Sequence, residues 1–197
     1  AWLKTGRKLP GTLYGSRFGI VKQHIINTRH HHLVNIIISR WGNYPISWNM
    51  FGQLIETSLY GGKEYTYKCL TFKKGEIVLP NGMSLLYPDL RQEKDDKGRS
   101  QWVYGPDATK LYAGKITNNV VQGTARIVMT DGMLRVSKKY PIAGTVHDEL
   151  IAVVPDEEVA DAKTWVLAQM VTPPAYMQDI PLAADGGAHR RYGLAKK

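Results

Sequence analysis

The stretch "GTVHDELIAVVP", residues 144–155, sets His147, Asp148 and Glu149 between two apolar runs, and these three residues are the best suited to chemistry. Adjacent carboxylates suit a hard divalent cation, because Mg²⁺ prefers oxygen ligands. Successive side chains point to opposite sides of an extended chain, so one carboxylate would bind the metal directly while the other lies nearby. We therefore take Asp148 as the candidate metal ligand. The alternative reading of "HDE" is an ordinary polar hairpin tip.

A long helix is predicted directly before this stretch. "NNVVQGTARIVMTDGMLRVSKK", residues 118–139, has apolar residues at helical spacing. Its polar residues Asn118, Gln122 and Arg126 recur every four positions and so share one helix face. In a basic chain such a stripe favours a site that handles phosphates or bases; the alternative is a solvated helix face.

The remaining patterns predict an α+β fold in which an antiparallel sheet packs with helices. Residues 21–60 look helical around a break at "GNYP", and "DEEVADAKTWVLAQMV" looks like an amphipathic helix with Asp156 as its cap. Strands are predicted for both halves of "EIVLPNGMSLLYPDL", joined at "PNG", for "QWVYGP" after the charged turn "EKDDKGRS", for the two arms around "HDE" and for "PLAADGGAHRRYG".

The composition of the chain limits the classes of molecule that it could bind. The chain of 197 residues carries 26 Lys and Arg against 17 Asp and Glu, a formal charge of +9, which favours polyanions such as nucleic acid. The single Cys69 excludes an internal disulfide and a cysteine-rich zinc site. No apolar run reaches the roughly 18 residues of a membrane span, so we expect no membrane partner and a cytoplasmic location.

Taken in order, these motifs resemble family A DNA polymerases, the class of bacterial polymerase I and many phage replicative enzymes. "NNVVQGTARIVM" resembles the helix before motif C, and "YPIAGTVHDELIAVVP" resembles motif C itself, with His-Asp-Glu between apolar strands. "LPNGMSLLYP", "LYAGKITNNVVQ" and "PLAADGGAHRRYG" resemble further pieces of the phage members. The resemblance covers roughly residues 76–193 and implies a palm-like domain from a phage-infected or bacterial host cell.

The resemblance also implies roles for single residues. Asp148 would bind the catalytic Mg²⁺ ions of a two-metal site, and Glu149 would lie close by as the second catalytic carboxylate. His147 would lie near the primer terminus, while Gln122, Asn118 and, one turn further along the stripe, Arg126 would contact the primer-template DNA. Two metal ions would then activate the primer 3′-hydroxyl and stabilise the leaving pyrophosphate of the dNTP.

The chain departs from the family pattern in two places. The family needs a second aspartate in an upstream motif of the form Asp-[Tyr/Phe]-Ser-x-x-Glu, yet no such motif is present and the first aspartate is Asp89. The nucleotide-binding helix of the fingers could survive in "GRKLPGTLYGSRFG", with Arg7, Lys8 and Tyr14 as its remnants. Pro10 would break that helix, so a basic N-terminal segment is the competing interpretation.

We therefore expect residues 1–60 to be a helical remnant of the fingers region and residues 61–197 to be a palm domain with motif C. The chain would be the C-terminal part of a split or truncated DNA polymerase, a nucleotidyltransferase of DNA replication whose upstream partner supplies the missing aspartate. The alternative is a non-catalytic DNA-binding or accessory module on a palm scaffold. A metal-dependent phosphoesterase built on the same two carboxylates is a third, weaker possibility.

Overall fold

The computed structural model describes the backbone of residues 23–30 and 44–195 and the side chains of residues 49–195. Its helices are α1 (Tyr44–Leu54), α2 (Ala113–Ser137), α3 (Val159–Met170) and α4 (Tyr192–Ala195). Its strands are β1 (Gln23–His30), β2 (Tyr65–Tyr67), β3 (Leu70–Lys73), β4 (Glu76–Val78), β5 (Ser84–Leu86), β6 (Arg91–Lys94), β7 (Ser100–Tyr104), β8 (Thr109–Leu111), β9 (Ile142–Val146), β10 (Glu149–Pro155) and β11 (Ala184–His189).

These elements form two compact units, which divide within α2 after Val128. The first, called here the sheet unit, contains a four-stranded antiparallel sheet of order β11-β1-β10-β9 together with the second part of α2, α3 and α4. The second, the meander unit, contains α1, strands β2 to β8 and the first part of α2. Chain neighbours pair in most of the meander unit, whereas β1 joins the sheet unit from far away in sequence.

The core of the sheet unit lies on one face of β10. Leu150, Ala152 and Val154 alternate along this strand and are fully buried. They belong to one cluster with side chains of α2 and α3, namely Met129, Val136, Ala162, Val166 and Met170, and with Tyr140. Because side chains alternate along a strand, Glu149, Ile151 and Val153 take the other face. Burial on both faces explains why β10 reads as a continuous apolar run.

The meander unit contains two antiparallel sheets, β2-β3-β4-β5 and β6-β7-β8. The α1 helix continues as one wider, π-helical turn, Ile55–Tyr60. The ring of Phe51, in α1, contacts the rings of Tyr67 and Phe72 at centroid distances of 6.2 and 5.6 Å. Such tilted and edge-on aromatic pairs add to the area they bury. They hold α1 against the first sheet.

Most local predictions are confirmed. The "PNG" hairpin joins β4 to β5 with Gly82 at φ 84°. Asp95 closes the charged turn between β6 and β7, where its Oδ1 accepts hydrogen bonds from the backbone N–H groups of Lys97 and Arg99, both at 2.9 Å. The long helix is present as α2, beginning at Ala113 rather than Asn118. The antiparallel α+β fold class is also confirmed.

Two predictions are wrong. Within residues 21–60, residues 23–30 form strand β1 rather than a helix, because their backbone pairs with β10 on one side and β11 on the other. The sequence "QHIINTRH" contains adjacent β-branched residues, which suit a strand, and this tertiary pairing overrides the helix-like spacing. Asp156 does not cap α3: the chain first makes a 3₁₀ turn, Asp156–Glu158, and α3 begins at Val159.

For the rest of residues 21–60, the helical prediction is confirmed in part. Residues 44–60 are helical as expected, whereas residues 31–43 lie outside the described residues. The division into a fingers remnant, residues 1–60, and a palm domain, residues 61–197, is an interpretation of function and stays a prediction. Among the residues that the structure describes, no helix is both long and apolar enough to cross a lipid bilayer.

Candidate active site

The carboxylate pair lies at the tip of the β9–β10 hairpin, as the sequence predicts. His147 and Asp148 form the two-residue turn, and Val146 pairs with Glu149 as the last rung of the ladder. His147 has φ 52°, in the left-handed region that few non-glycine residues occupy. Such strain costs about 1–3 kcal/mol and is often retained at functional sites.

Burial separates the three motif residues. His147 is exposed and Asp148 is partly exposed at the turn, whereas Glu149 is only 8% exposed at the start of β10. The next residue, Leu150, is fully buried. The hairpin therefore presents Asp148 toward solvent and keeps Glu149 within the protein. The two carboxylates are neighbours in sequence but differ in their surroundings.

Glu149 is held by a residue that the sequence analysis did not single out. The hydroxyl of Tyr192 donates a hydrogen bond to Glu149 Oε2 at 3.0 Å. Tyr192 is the first residue of α4, and Arg190 and Arg191 link it to the end of β11 at His189. The two residues are far apart in the chain, so no local spacing signals their contact. The order of the strands brings the C-terminal segment to the β9–β10 hairpin.

The same C-terminal segment also contacts the far end of β10. Arg190 Nη2 lies 2.6 Å from Asp156 Oδ2, directly after the last residue of the strand. Asp156 was predicted to be a helix cap, and this ion pair is what its carboxylate makes instead. The segment that follows β11 therefore contacts both ends of the strand that carries Glu149.

The hairpin is irregular close to its tip. Ile151 pairs with Gly144, but the next residue, Ala152, pairs with Ile142, so that Ala143 is an extra residue on β9. A bulge of this kind bends a strand and increases its twist, which redirects the residues beyond it. The bulge lies between the core of the sheet unit and the turn, so it influences the direction of Asp148.

The polar stripe lies on α2 within the meander unit. Asn118, Gln122 and Arg126 are all exposed, and Gln122 Nε2 donates a hydrogen bond to Asn118 Oδ1 at 3.1 Å. This confirms that they share one face of the helix. The neighbouring Asn119 points elsewhere and donates to the hydroxyl of Tyr87 at 3.3 Å. Burial raises the pKa of Tyr87 to about 12, although this hydrogen bond opposes the shift.

The donor chemistry fits Mg²⁺ only in part. Carboxylate oxygens at an accessible turn are suitable ligands for a hard cation. Among the residues whose side chains the structure describes, however, there is no group of three or more His, Cys, Asp or Glu residues arranged to hold a metal ion. The hairpin supplies part of a ligand set, of which Asp148 is the member exposed enough to bind. The nucleotide-binding candidates Arg7, Lys8 and Tyr14 lie outside the described residues.

Comparison with known proteins gives two similarities. A DNA polymerase of Bacillus phage SP02 is 30% identical over 119 residues, which span 56% of this chain and 18% of the phage protein. The polymerase domain of Pol1 from M. smegmatis, solved in complex with DNA primer-template and dNTP, matches with a TM-score of 0.53 at 15% identity, over 94% of this chain and 42% of that one. No protein-family profile matches.

Both matches cover only part of the proteins that the chain resembles. The chain spans less than one fifth of the length of the phage polymerase that it resembles, since the match covers 18% of that protein. The structural match independently identifies the fold of a polymerase domain. The chain is therefore polymerase-like, similar in sequence to part of a phage DNA polymerase and similar in fold to the polymerase domain of Pol1.

Proposed function

We propose that this chain contributes the motif C carboxylates to a DNA-directed DNA polymerase of family A. The observation that carries the proposal is the hairpin tip, where Asp148 is partly exposed beside a buried Glu149 in a strand of otherwise apolar residues. The similarity to a phage DNA polymerase over 119 residues supports the same reading. The reaction would be the template-directed transfer of a nucleotide to a primer 3′-hydroxyl.

In this proposal each residue of the hairpin has a separate task. Asp148 binds Mg²⁺, and Glu149 adds negative charge nearby without leaving the protein interior. His147, exposed at the turn, contacts the primer terminus. When bound, two metal ions activate the attacking hydroxyl and stabilise the leaving pyrophosphate. The hairpin holds these side chains in place, because β10 is paired with a neighbouring strand on each side.

The second metal-binding aspartate of a two-metal site must come from elsewhere. The chain has no Asp-[Tyr/Phe]-Ser-x-x-Glu motif, and we propose that an upstream polymerase segment supplies this aspartate together with the main nucleotide-binding residues. Arg7, Lys8 and Tyr14 would add to that nucleotide site if the N-terminal segment belongs to the fingers. The polymerase would work in the cytoplasm of a bacterial host, where its substrates are primer-template DNA and dNTP.

The test is primer extension on a labelled primer-template with Mg²⁺ and dNTP, by the chain alone and after addition of an upstream segment carrying the missing motif. We expect extension only with the segment, and its loss in Asp148→Asn. Asp161→Asn is the matched control, since Asp161 is an exposed carboxylate of the same unit. Extension that survives Asp148→Asn would refute the role of the hairpin.

The exposed stripe on α2 supports a second candidate, a DNA-binding module without catalysis. Asn118, Gln122 and Arg126 offer amide and guanidinium donors on one face, groups that bind base edges and phosphates. This function would require no carboxylate. Binding of primer-template DNA that is weakened by Gln122→Ala, with no extension under any combination of segments, would favour it over the polymerase.

A further inference from the structure

The contact between Tyr192 and Glu149 has a consequence for the carboxylate pair. Glu149 is 8% exposed, and burying a polar group costs free energy unless the group is hydrogen-bonded. The Tyr192 hydroxyl supplies one hydrogen bond at 3.0 Å. It therefore fixes the direction of one Glu149 oxygen.

The position of Tyr192 is itself fixed by close packing. A Cβ atom on Gly187 of β11 would collide with the carbonyl oxygen of Ala195, at the end of α4. The helix backbone thus lies directly on the strand, and only glycine permits that approach. Arg190, between the two elements, contacts Asp156. The phenol of Tyr192 is consequently directed from a docked segment rather than from a loose C-terminal tail.

We propose that Tyr192 is a positioning residue for the carboxylate pair: it holds Glu149 in the protein, so that Asp148 alone is presented to a divalent cation at the hairpin tip. This inference rests on the proposed function, which makes Asp148 the metal ligand. It adds a residue from the C-terminal segment that acts on the site only through Glu149. Without the phenol oxygen, the Glu149 carboxylate turns toward the cation as a second ligand.

The experiment uses the 197-residue chain alone, without nucleotide or DNA, and Tb³⁺ as the probe for the cation site. In Tyr192→Phe we expect about tenfold tighter Tb³⁺ binding, equivalent to about 1.4 kcal/mol. We also expect a longer luminescence lifetime in water, because a carboxylate oxygen replaces a bound water. A purely structural role would not lengthen that lifetime.

Two controls isolate the path of the effect. Tyr140→Phe removes a phenol–carboxylate hydrogen bond elsewhere in the sheet unit, the one that Tyr140 donates to Glu158, and should leave Tb³⁺ affinity and lifetime unchanged. In a Glu149→Gln background, Tyr192→Phe should have no further effect, since the residue acts through that carboxylate. If Tyr192→Phe binds Tb³⁺ with wild-type affinity and lifetime, or alters both equally in the Glu149→Gln background, the inference is wrong.

Failure of the inference can be told apart from failure of the proposed function. Asp148→Asn should abolish Tb³⁺ binding at the hairpin; if it does not, the proposed metal ligand is wrong. The positioning role is then judged by amide hydrogen exchange of His147 and Asp148 without any cation. Faster exchange in Tyr192→Phe but not in Tyr140→Phe supports it, and equal rates in both variants overturn it.

Discussion

Replacing Gly187 with alanine should release the C-terminal segment from the sheet. The added Cβ would meet the carbonyl oxygen of Ala195 and lie 3.1 Å from its carbonyl carbon, both backbone atoms that cannot rotate away. Either α4 shifts, at the overpacking cost of about 1–3 kcal/mol, or it undocks and loses the Tyr192–Glu149 hydrogen bond, worth about 1.5–3 kcal/mol for a charged acceptor. Both routes predict that the free energy of unfolding of the sheet unit falls by about 2 kcal/mol.

Gly193→Ala is the matched control for this prediction. Gly193 lies in α4 itself, one residue after Tyr192, and no atom lies within 4 Å of a Cβ placed there. An alanine at that position adds the same methyl group without a collision, and in a helix it is preferred to glycine. We therefore expect Gly193→Ala to be neutral or slightly stabilising.

Amide hydrogen exchange of β10 is the suitable assay, because the chain has two units and a global unfolding curve would mix them. The buried residues Leu150–Val154 exchange only when the sheet unit opens. A loss of about 2 kcal/mol corresponds to roughly 30-fold faster exchange. Equal exchange rates in Gly187→Ala and Gly193→Ala would refute the reasoning that α4 is locked on the sheet by this glycine.

Four further predictions concern other contacts. Gln122→Ala should weaken binding of primer-template DNA in a filter-binding assay severalfold, whereas Gln53→Ala, an exposed glutamine on α1 of the same unit, should not. Burial raises the pKa of Tyr87 from the ordinary value of 10.0 to about 12. The neutral phenol therefore adds about 2.7 kcal/mol to the free energy of unfolding. This stabilisation is present below pH 10 and is lost as the pH rises through 12. Tyr87→Phe should flatten this part of the stability–pH curve, measured by urea unfolding followed at NMR signals of the meander unit. Arg135 donates three hydrogen bonds to the carbonyls of Gln169, in the last turn of α3, and of Thr172, just after it. Arg135→Lys should lower the stability of the sheet unit by about 1–2 kcal/mol, measured by amide hydrogen exchange in α3, because lysine lacks the planar fork. Hydrogen bonds from Arg99 lower the pKa of Asp95, so Asp95→Ala should lower the amide protection factors of Lys97 and Arg99, and acid should lower them in the unchanged chain as Asp95 is protonated.

Local patterns in the sequence predict the elements whose partners are close in the chain. The "PNG" turn requires a residue that tolerates positive φ, and Gly82 supplies it between β4 and β5. The apolar runs on either side of "HDE" predict the hairpin with Asp148 at its tip, and the structure has that hairpin. In each case the turn residues and the side-chain periodicity that determine the structure lie within a dozen residues, so the local sequence is enough to predict the element.

Strand β1 shows why the rest could not be predicted in this way. Its backbone pairs with β10 and β11, which lie more than a hundred residues later in the chain. The gain from two flanking ladders outweighs a local preference, and no spacing within "QHIINTRH" reports it. The role of Asp156 was predicted wrongly and that of Tyr192 was missed for the same reason. Their partners, Arg190 and Glu149 respectively, are brought near only by the completed sheet.

The order of the strands therefore decides what the motif can do. Glu149 begins a strand that is paired on both sides, by β9 and by β1, and the sheet continues through β1 to β11. Because β11 leads directly into α4, the segment that completes the sheet is also the one that brings Tyr192 to Glu149. Two adjacent carboxylates with equal intrinsic chemistry become different, Asp148 partly exposed and Glu149 buried beside Tyr192, which lies 43 residues later in the chain. A change that disturbs β11 should thus alter the carboxylate pair without touching the hairpin that carries it.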